Sequence, residues 1–107
     1  MKQFQNKVVW ITGASSGIGE AVAKAFSASG AVVIISSRRR EELERVKAIC
    51  TDSDNVHVFP LDLTDGDSIK QVSNEVLSKF QIDILFNNGG ISQRSLTSET
   101  TIENDRK

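Results

Sequence analysis

Four short runs rich in β-branched residues, at 7–12, 31–36, 55–60 and 82–87, begin 24, 24 and 27 residues apart. Between them the apolar positions recur three and four residues apart, the spacing that places side chains on one face of a helix. Ile18, Ala21, Val22, Ala25 and Phe26 make the first stripe, and Leu43, Val46 and Cys50 the second. Ile69, Val72, Val76, Leu77 and Phe80 make the third. Thr64 is expected to cap that third helix, with Asp65 and Asp67 in its first turn, where carboxylates suit the helix dipole. Val8-Val9-Trp10-Ile11, Val32-Val33-Ile34-Ile35 and Ile82-Asp83-Ile84-Leu85-Phe86 are runs more than alternations, as in strands covered on both faces.

Strand and helix alternating three times before a fourth strand predict the α/β class with a doubly wound parallel sheet. Right-handed crossovers then favour the strand order 3-2-1-4. The final stretch, 92–107, is polar, and Thr100 with Glu103 has the spacing of a capping box for one more helix. The chain stops soon after that helix would begin. It is therefore expected to be truncated, a fragment of a longer protein.

Composition narrows the classes of function. The 107 residues include 13 basic and 14 acidic side chains, a formal net charge of −1, which argues against a nucleic-acid partner. A hydrophobic fraction of 38% with 25% charged residues fits a folded domain rather than a disordered chain. The apolar runs are too short for a membrane helix or a secretory signal, so no membrane partner and a cytoplasmic location are expected. Cys50 and His57 are the only residues of their kinds, which leaves no internal disulfide and no metal cluster to expect. His57 reads as structural, Trp10 as core and Cys50 as a small hydrophobe. Tyrosine is absent.

Thr12-Gly13-Ala14-Ser15-Ser16-Gly17-Ile18-Gly19 joins the first strand to the first helix. Glycines here allow the sharp turn, the close approach of backbone to a pyrophosphate and tight helix packing, while unpaired amides at the helix start favour an anion. Ser15 and Ser16 add hydroxyl donors. A nucleoside-triphosphate loop would continue Gly-Lys-Ser/Thr, but Glu20 follows Gly19, so ATP or GTP hydrolysis is disfavoured. A tight turn without a ligand is the bland alternative.

These residues carry a resemblance. Thr12 to Gly19 matches, without a gap, the T-G-x-x-x-G-x-G signature of the short-chain dehydrogenases/reductases. Asn87-Asn88-Gly89-Gly90 after the fourth strand resembles that family's N-N-A-G, with Gly89 in place of alanine. Asp62-Leu63 after the third strand resembles its Asp-hydrophobic pair beside adenine. The longer string Asn87 to Ser95 is similar to the DHRS-type reductases. The resemblance implies a Rossmann-like dinucleotide-binding domain over 1–107, incomplete in this chain. It further implies that Asp62 accepts from the adenine amino group and that the Leu63 amide pairs with the ring. Asn87 would line the cofactor while tying neighbouring strands, Gly89 and Gly90 would leave space for the nicotinamide-side ribose, and Ile18 would support the pyrophosphate turn, touching cofactor and core alike.

The end of the second strand reads Ser36-Ser37-Arg38-Arg39-Arg40, with no carboxylate to accept from a ribose 2′-OH. Guanidinium groups suit a 2′-phosphate, so Arg38, with Ser37 and Arg39, favours NADP(H) over NAD(H). Arginines solvated or paired with Glu41, Glu42 and Glu44 are the alternative. The family's proton donor is a tyrosine tuned by a lysine, and its catalytic residues lie beyond the fourth strand. The resemblance thus implies no catalytic residue in this chain, which is expected to be inactive alone. It implies the N-terminal part of an NADP(H)-dependent oxidoreductase acting on a small carbonyl or secondary alcohol, in a parent expected to be a homo-oligomer. A non-catalytic dinucleotide-binding redox sensor or a degenerate family member is the alternative.

Overall fold

The computed structural model describes residues 4–15 and 17–88. The strands are β1 (Val8–Thr12), β2 (Val32–Ser36), β3 (Val56–Val58) and β4 (Ile84–Asn87). The helices are α1 (Gly17–Ala28), α2 (Arg40–Ile49) and α3 (Gly66–Lys79). All strand pairs are parallel and the sheet order is β3-β2-β1-β4, as the sequence predicts. Thr100, Glu103 and the rest of the 92–107 stretch lie outside the described residues.

The period of two along each strand sorts side chains between two cores. Val9 and Ile11 of β1 join Val33 and Ile35 of β2 on one face, under Ala23 of α1 and Leu43 and Val46 of α2. Trp10 and Ile34 point the other way and pack with Leu61 and with Val76 of α3. Trp10 Nε1 donates to Ser36 Oγ at 2.9 Å, which satisfies the one polar atom of the buried indole. Each fully buried Val, Leu or Ile adds roughly 1.5–3 kcal/mol relative to exposure, so the central strands hold most of the stability.

Four expectations need correction. The buried face of α1 is Gly19, Ala23 and Ser27, while Ile18 is 68% exposed and does not reach the core. Helix and sheet approach closely there, and small side chains allow it. Asp65, not Thr64, caps α3, its carboxylate accepting from the amides of Asp67 and Ser68. The Thr64 hydroxyl is engaged elsewhere, with Asp62. Leu77, on the third stripe, is 60% exposed. Finally, β4 alternates between half-buried and exposed positions instead of being covered on both faces, because β1 is its only neighbour among the described residues. Asp83 stands before β4; its amide donates to the Val8 carbonyl and its carboxylate accepts from the Val8 amide, starting the pairing with β1.

Trp10 is buried, and so is Cys50, whose thiol burial pushes up in pKa against an opposing hydrogen bond with Ser27. His57 on β3 lies with its ring 5.0 Å from that of Phe80. Burial, helped by the charge of Lys47, lowers its pKa below the ordinary 6.5. Below that ordinary value the unfolded chain therefore binds more protons than the folded one, and stability falls as pH drops towards the folded pKa. Melting temperature is expected to decline from pH 7 to pH 5, and His57→Gln to flatten that decline; an unchanged slope in the variant would remove His57 as its source.

Candidate functional site

Crossovers carry β2 and β3 to one side of β1 and β4 to the other, and the loops leaving the strand ends part at such a switch point. The glycine-rich turn stands there. Gly13 has φ +67° and Gly17, the first residue of α1, has φ +44°, a left-handed backbone that costs glycine little. A Cβ on Gly19 would come within 2.3 Å of the Gly13 carbonyl oxygen, 2.8 Å of Asn88 Nδ2 and 3.0 Å of Ala14 Cα. A Cβ on Gly17 would meet nothing within 4 Å among the described residues. One glycine is thus required by packing within the fold, and the other keeps open the space before the helix.

The end of β4 holds this corner in place. Thr12 Oγ1 donates to Asn87 Oδ1 at 2.7 Å across the register pair Thr12 and Asn87. The Asn88 amide donates to the Thr12 carbonyl, and Asn88 Nδ2 donates to the Gly13 carbonyl at 3.2 Å. Asn88 is a positioning group the sequence reading left without a role, although it stands inside the Asn87-Asn88-Gly89-Gly90 string. Ser16, Gly89 and Gly90 lie outside the described residues.

A cleft of about 250 Å³ opens beside the turn. Thr12 and Gly13 form one wall, Ser37 and Arg38 a second, and Asp62 and Leu63 a third. Five of the predicted residues, Gly13, Ser37, Arg38, Asp62 and Leu63, therefore share one cavity although the sequence separates them by up to 50 positions. Ser37 Oγ is buried there with no hydrogen-bond partner among the described residues. Native proteins rarely leave such a group unpaired, and a ligand is one explanation for the exceptions. Asp62 Oδ1 accepts from the Thr64 amide at 2.9 Å and the Thr64 hydroxyl at 2.6 Å. Those bonds, the hydroxyl's first, hold the Asp62 carboxyl below its ordinary pKa, and the charge of Arg38 lowers it further. Thr64 thus acts as the support of Asp62 rather than as a helix cap.

Arg38 and Arg39 are exposed and make no ion pair among the described residues; Arg39 occupies the N-cap position of α2 without a side-chain cap. Arg40 reaches Glu44 at 3.5 Å, so the alternative of arginine paired with glutamate holds for that one residue. Ser15, Gly17, Ile18, Gly19, Arg39 and Asn87 are not in the wall of the cleft. Among the described residues there is no group of three or more His, Cys, Asp or Glu able to hold a metal, and no helix long and apolar enough to cross a membrane. The arrangement can take an elongated polyanionic ligand: backbone at the turn, cationic side chains at the end of β2, and a carboxylate with free acceptor capacity at 62.

Residues 7–106 match the family model described as short chain dehydrogenase. Dehydrogenase/reductase SDR family member 7 of Homo sapiens is 48% identical over 111 residues, covering 98% of this chain and 33% of its own length. The chain spans about a third of the length of the curated relatives it matches. Among solved structures, the apo form of glucose dehydrogenase of Caenorhabditis elegans has a TM-score of 0.71 and 36% identity, over 80% of this chain and 38% of that one. 3-Ketoacyl-(acyl-carrier-protein) reductase from Brucella melitensis, complexed with NADH, has a TM-score of 0.68 and 36% identity, over 77% of this chain and 33% of that one.

Proposed function

The chain belongs to the short-chain dehydrogenases/reductases, and from that premise we propose that its cleft and glycine turn bind NADP(H) for an oxidoreductase acting on a carbonyl or secondary alcohol. The observation that carries the choice of cofactor is the wall formed by Ser37 and Arg38: a buried hydroxyl without a partner among the described residues, beside a guanidinium that makes no ion pair among them, while Asp62 across the cleft already accepts from Thr64. A ribose 2′-phosphate would satisfy both groups, whereas a bare 2′-OH would leave the guanidinium without an anion.

The residue assignments are those the family resemblance implies, and the cleft supports them at Gly13, Ser37, Arg38, Asp62 and Leu63. Gly13, Ser15, Ser16, Gly17, Ile18 and Gly19 serve the diphosphate corner, where open space at Gly17 supports close approach by an anion. Ser37 and Arg38, with Arg39 behind them, serve the 2′-phosphate. Asp62 and Leu63 serve adenine, with Thr64 holding one carboxylate oxygen and leaving the other to accept. Asn87, Gly89 and Gly90 serve the nicotinamide side. The nicotinamide supplies or takes up the hydride when bound. This chain's residues bind and orient it; the proton donor and substrate pocket belong to the parent protein beyond this stretch. The second reading is a dinucleotide-binding module without catalysis, a redox-state sensor or a degenerate family member. A Tyr-x-x-x-Lys about fifty residues beyond Lys107 in the parent would favour the enzyme, as proton transfer to a carbonyl needs such a donor.

Arg38→Ala in the parent protein is expected to raise the Kd for NADPH by about 10- to 100-fold, the loss typical of hydrogen bonds to a charged group. The Kd for NADH is expected to change little. Fluorescence titration with both cofactors measures this, and equal losses would overturn the 2′-phosphate role.

A further inference from the structure

An ionic cluster next to the turn has no part in the assignments above. Arg45 stands on α2, yet its Nη2 donates to the Ser15 carbonyl at 3.2 Å and to Glu20 Oε1 at 3.1 Å, while its Nε donates to Glu42 Oε1 at 3.0 Å. The guanidinium therefore joins the glycine turn, the first turn of α1 and the face of α2. The hydrogen bond from Arg45 is the main cause holding the Glu20 carboxyl below its ordinary pKa. Exposed ion pairs by themselves contribute little. The bond to a backbone carbonyl inside the turn is what gives this one consequence.

Two negative groups flank the corner in which the diphosphate is placed: the Ser15 carbonyl and the Glu20 carboxylate. Either opposes a bound anion, the carboxylate through space and the carbonyl by orientation. Gly13 and Gly17 on either side have positive φ, a conformation that costs glycine little. The same guanidinium offsets the Glu20 charge, so the carboxylate at the helix start coexists with an anion site.

We infer that Arg45 is a positioning residue for the dinucleotide, holding the Ser15 carbonyl towards α2 and offsetting the charge of Glu20. The inference rests on the diphosphate placement proposed above. In the full-length protein, Arg45→Met is expected to raise the Kd for NADPH about five- to tenfold, in the range for losing a charge-assisted hydrogen bond. Binding of 2′-AMP, which carries the ribose phosphate but no diphosphate bridge, is expected to stay within about twofold, since the lost field is local. Adding Glu20→Gln to Arg45→Met is expected to recover part of the NADPH affinity, because the unpaired carboxylate is gone. An NADPH Kd unchanged in Arg45→Met overturns the inference. So does a parallel loss for NADPH and 2′-AMP with no recovery in the double variant, the pattern of a general structural defect. A wild-type protein that binds neither NADPH nor NADH would instead sink the cofactor reading itself.

Discussion

Gly19→Ala is expected to cost about 3 kcal/mol or more of folding stability, at the upper end for a side chain forced into a full space. The new methyl group would stand 2.3 Å from the Gly13 carbonyl oxygen and 2.8 Å from Asn88 Nδ2. The carbonyl is backbone and cannot swing aside as a flexible side chain does. Either α1 lifts from the sheet, uncovering Ala23 and Ser27, or the turn opens and the Asn88 bond to Gly13 breaks. Both routes distort the corner proposed for the diphosphate, so NADPH binding should be lost even where the chain still folds. Gly17→Ala is the matched comparison. Its methyl group meets no atom of the described residues, and the left-handed φ of +44° resists it at roughly 1–2 kcal/mol. Urea unfolding followed by the fluorescence of Trp10, the only tryptophan and a buried one, measures both. Equal stability losses for the two variants would show that the close approach at Gly19 does not govern the corner.

Ile11→Ala is expected to cost about 3–4 kcal/mol, within the range for truncating a fully buried isoleucine. Ile11 is wholly buried at the centre of the sheet, paired with Ile35 of β2 and Phe86 of β4. It also directly precedes Thr12 and Gly13, so the cavity left behind lies beneath the turn. A small domain has only several kcal/mol to lose, and the variant is expected to be largely unfolded near its former melting point. Leu85→Ala on β4, where the side chain is 47% exposed, is expected to cost under about 1 kcal/mol in the same urea experiment. A comparable loss at both positions would mean that the central strands do not dominate stability.

How far the site was legible depends on the residue. Gly13, Asp62 and Leu63 carry their chemistry in local strings, and they fall in one cleft because parallel strands deliver their ends to the same edge. Leu43, Val46 and Cys50 were readable as a core stripe because polar residues surround them on α2. In α1 the pattern is ambiguous, since Ile18, Ala21, Val22, Ala23, Ala25 and Phe26 leave apolar groups on more than one side. Distance to the sheet, which periodicity does not report, selects the face of Gly19, Ala23 and Ser27. Thr64 and Asp65 are both competent caps, and the choice between them follows from the turn at Asp62 that takes the threonine hydroxyl. Arg45 gave no signal, because its partners Ser15 and Glu20 lie 30 and 25 residues away.

The order of strands, the glycine turn and the missing carboxylate after β2 are properties of the sequence alone, because periodicity, backbone freedom and side-chain charge act over a few neighbouring residues. The Ser37 hydroxyl, unpaired among the described residues, the contact that excludes a methyl group at Gly19 and the reach of Arg45 to the turn are decided only in three dimensions. Each depends on a separation between distant segments, and that separation is set by how closely the helices settle on the sheet.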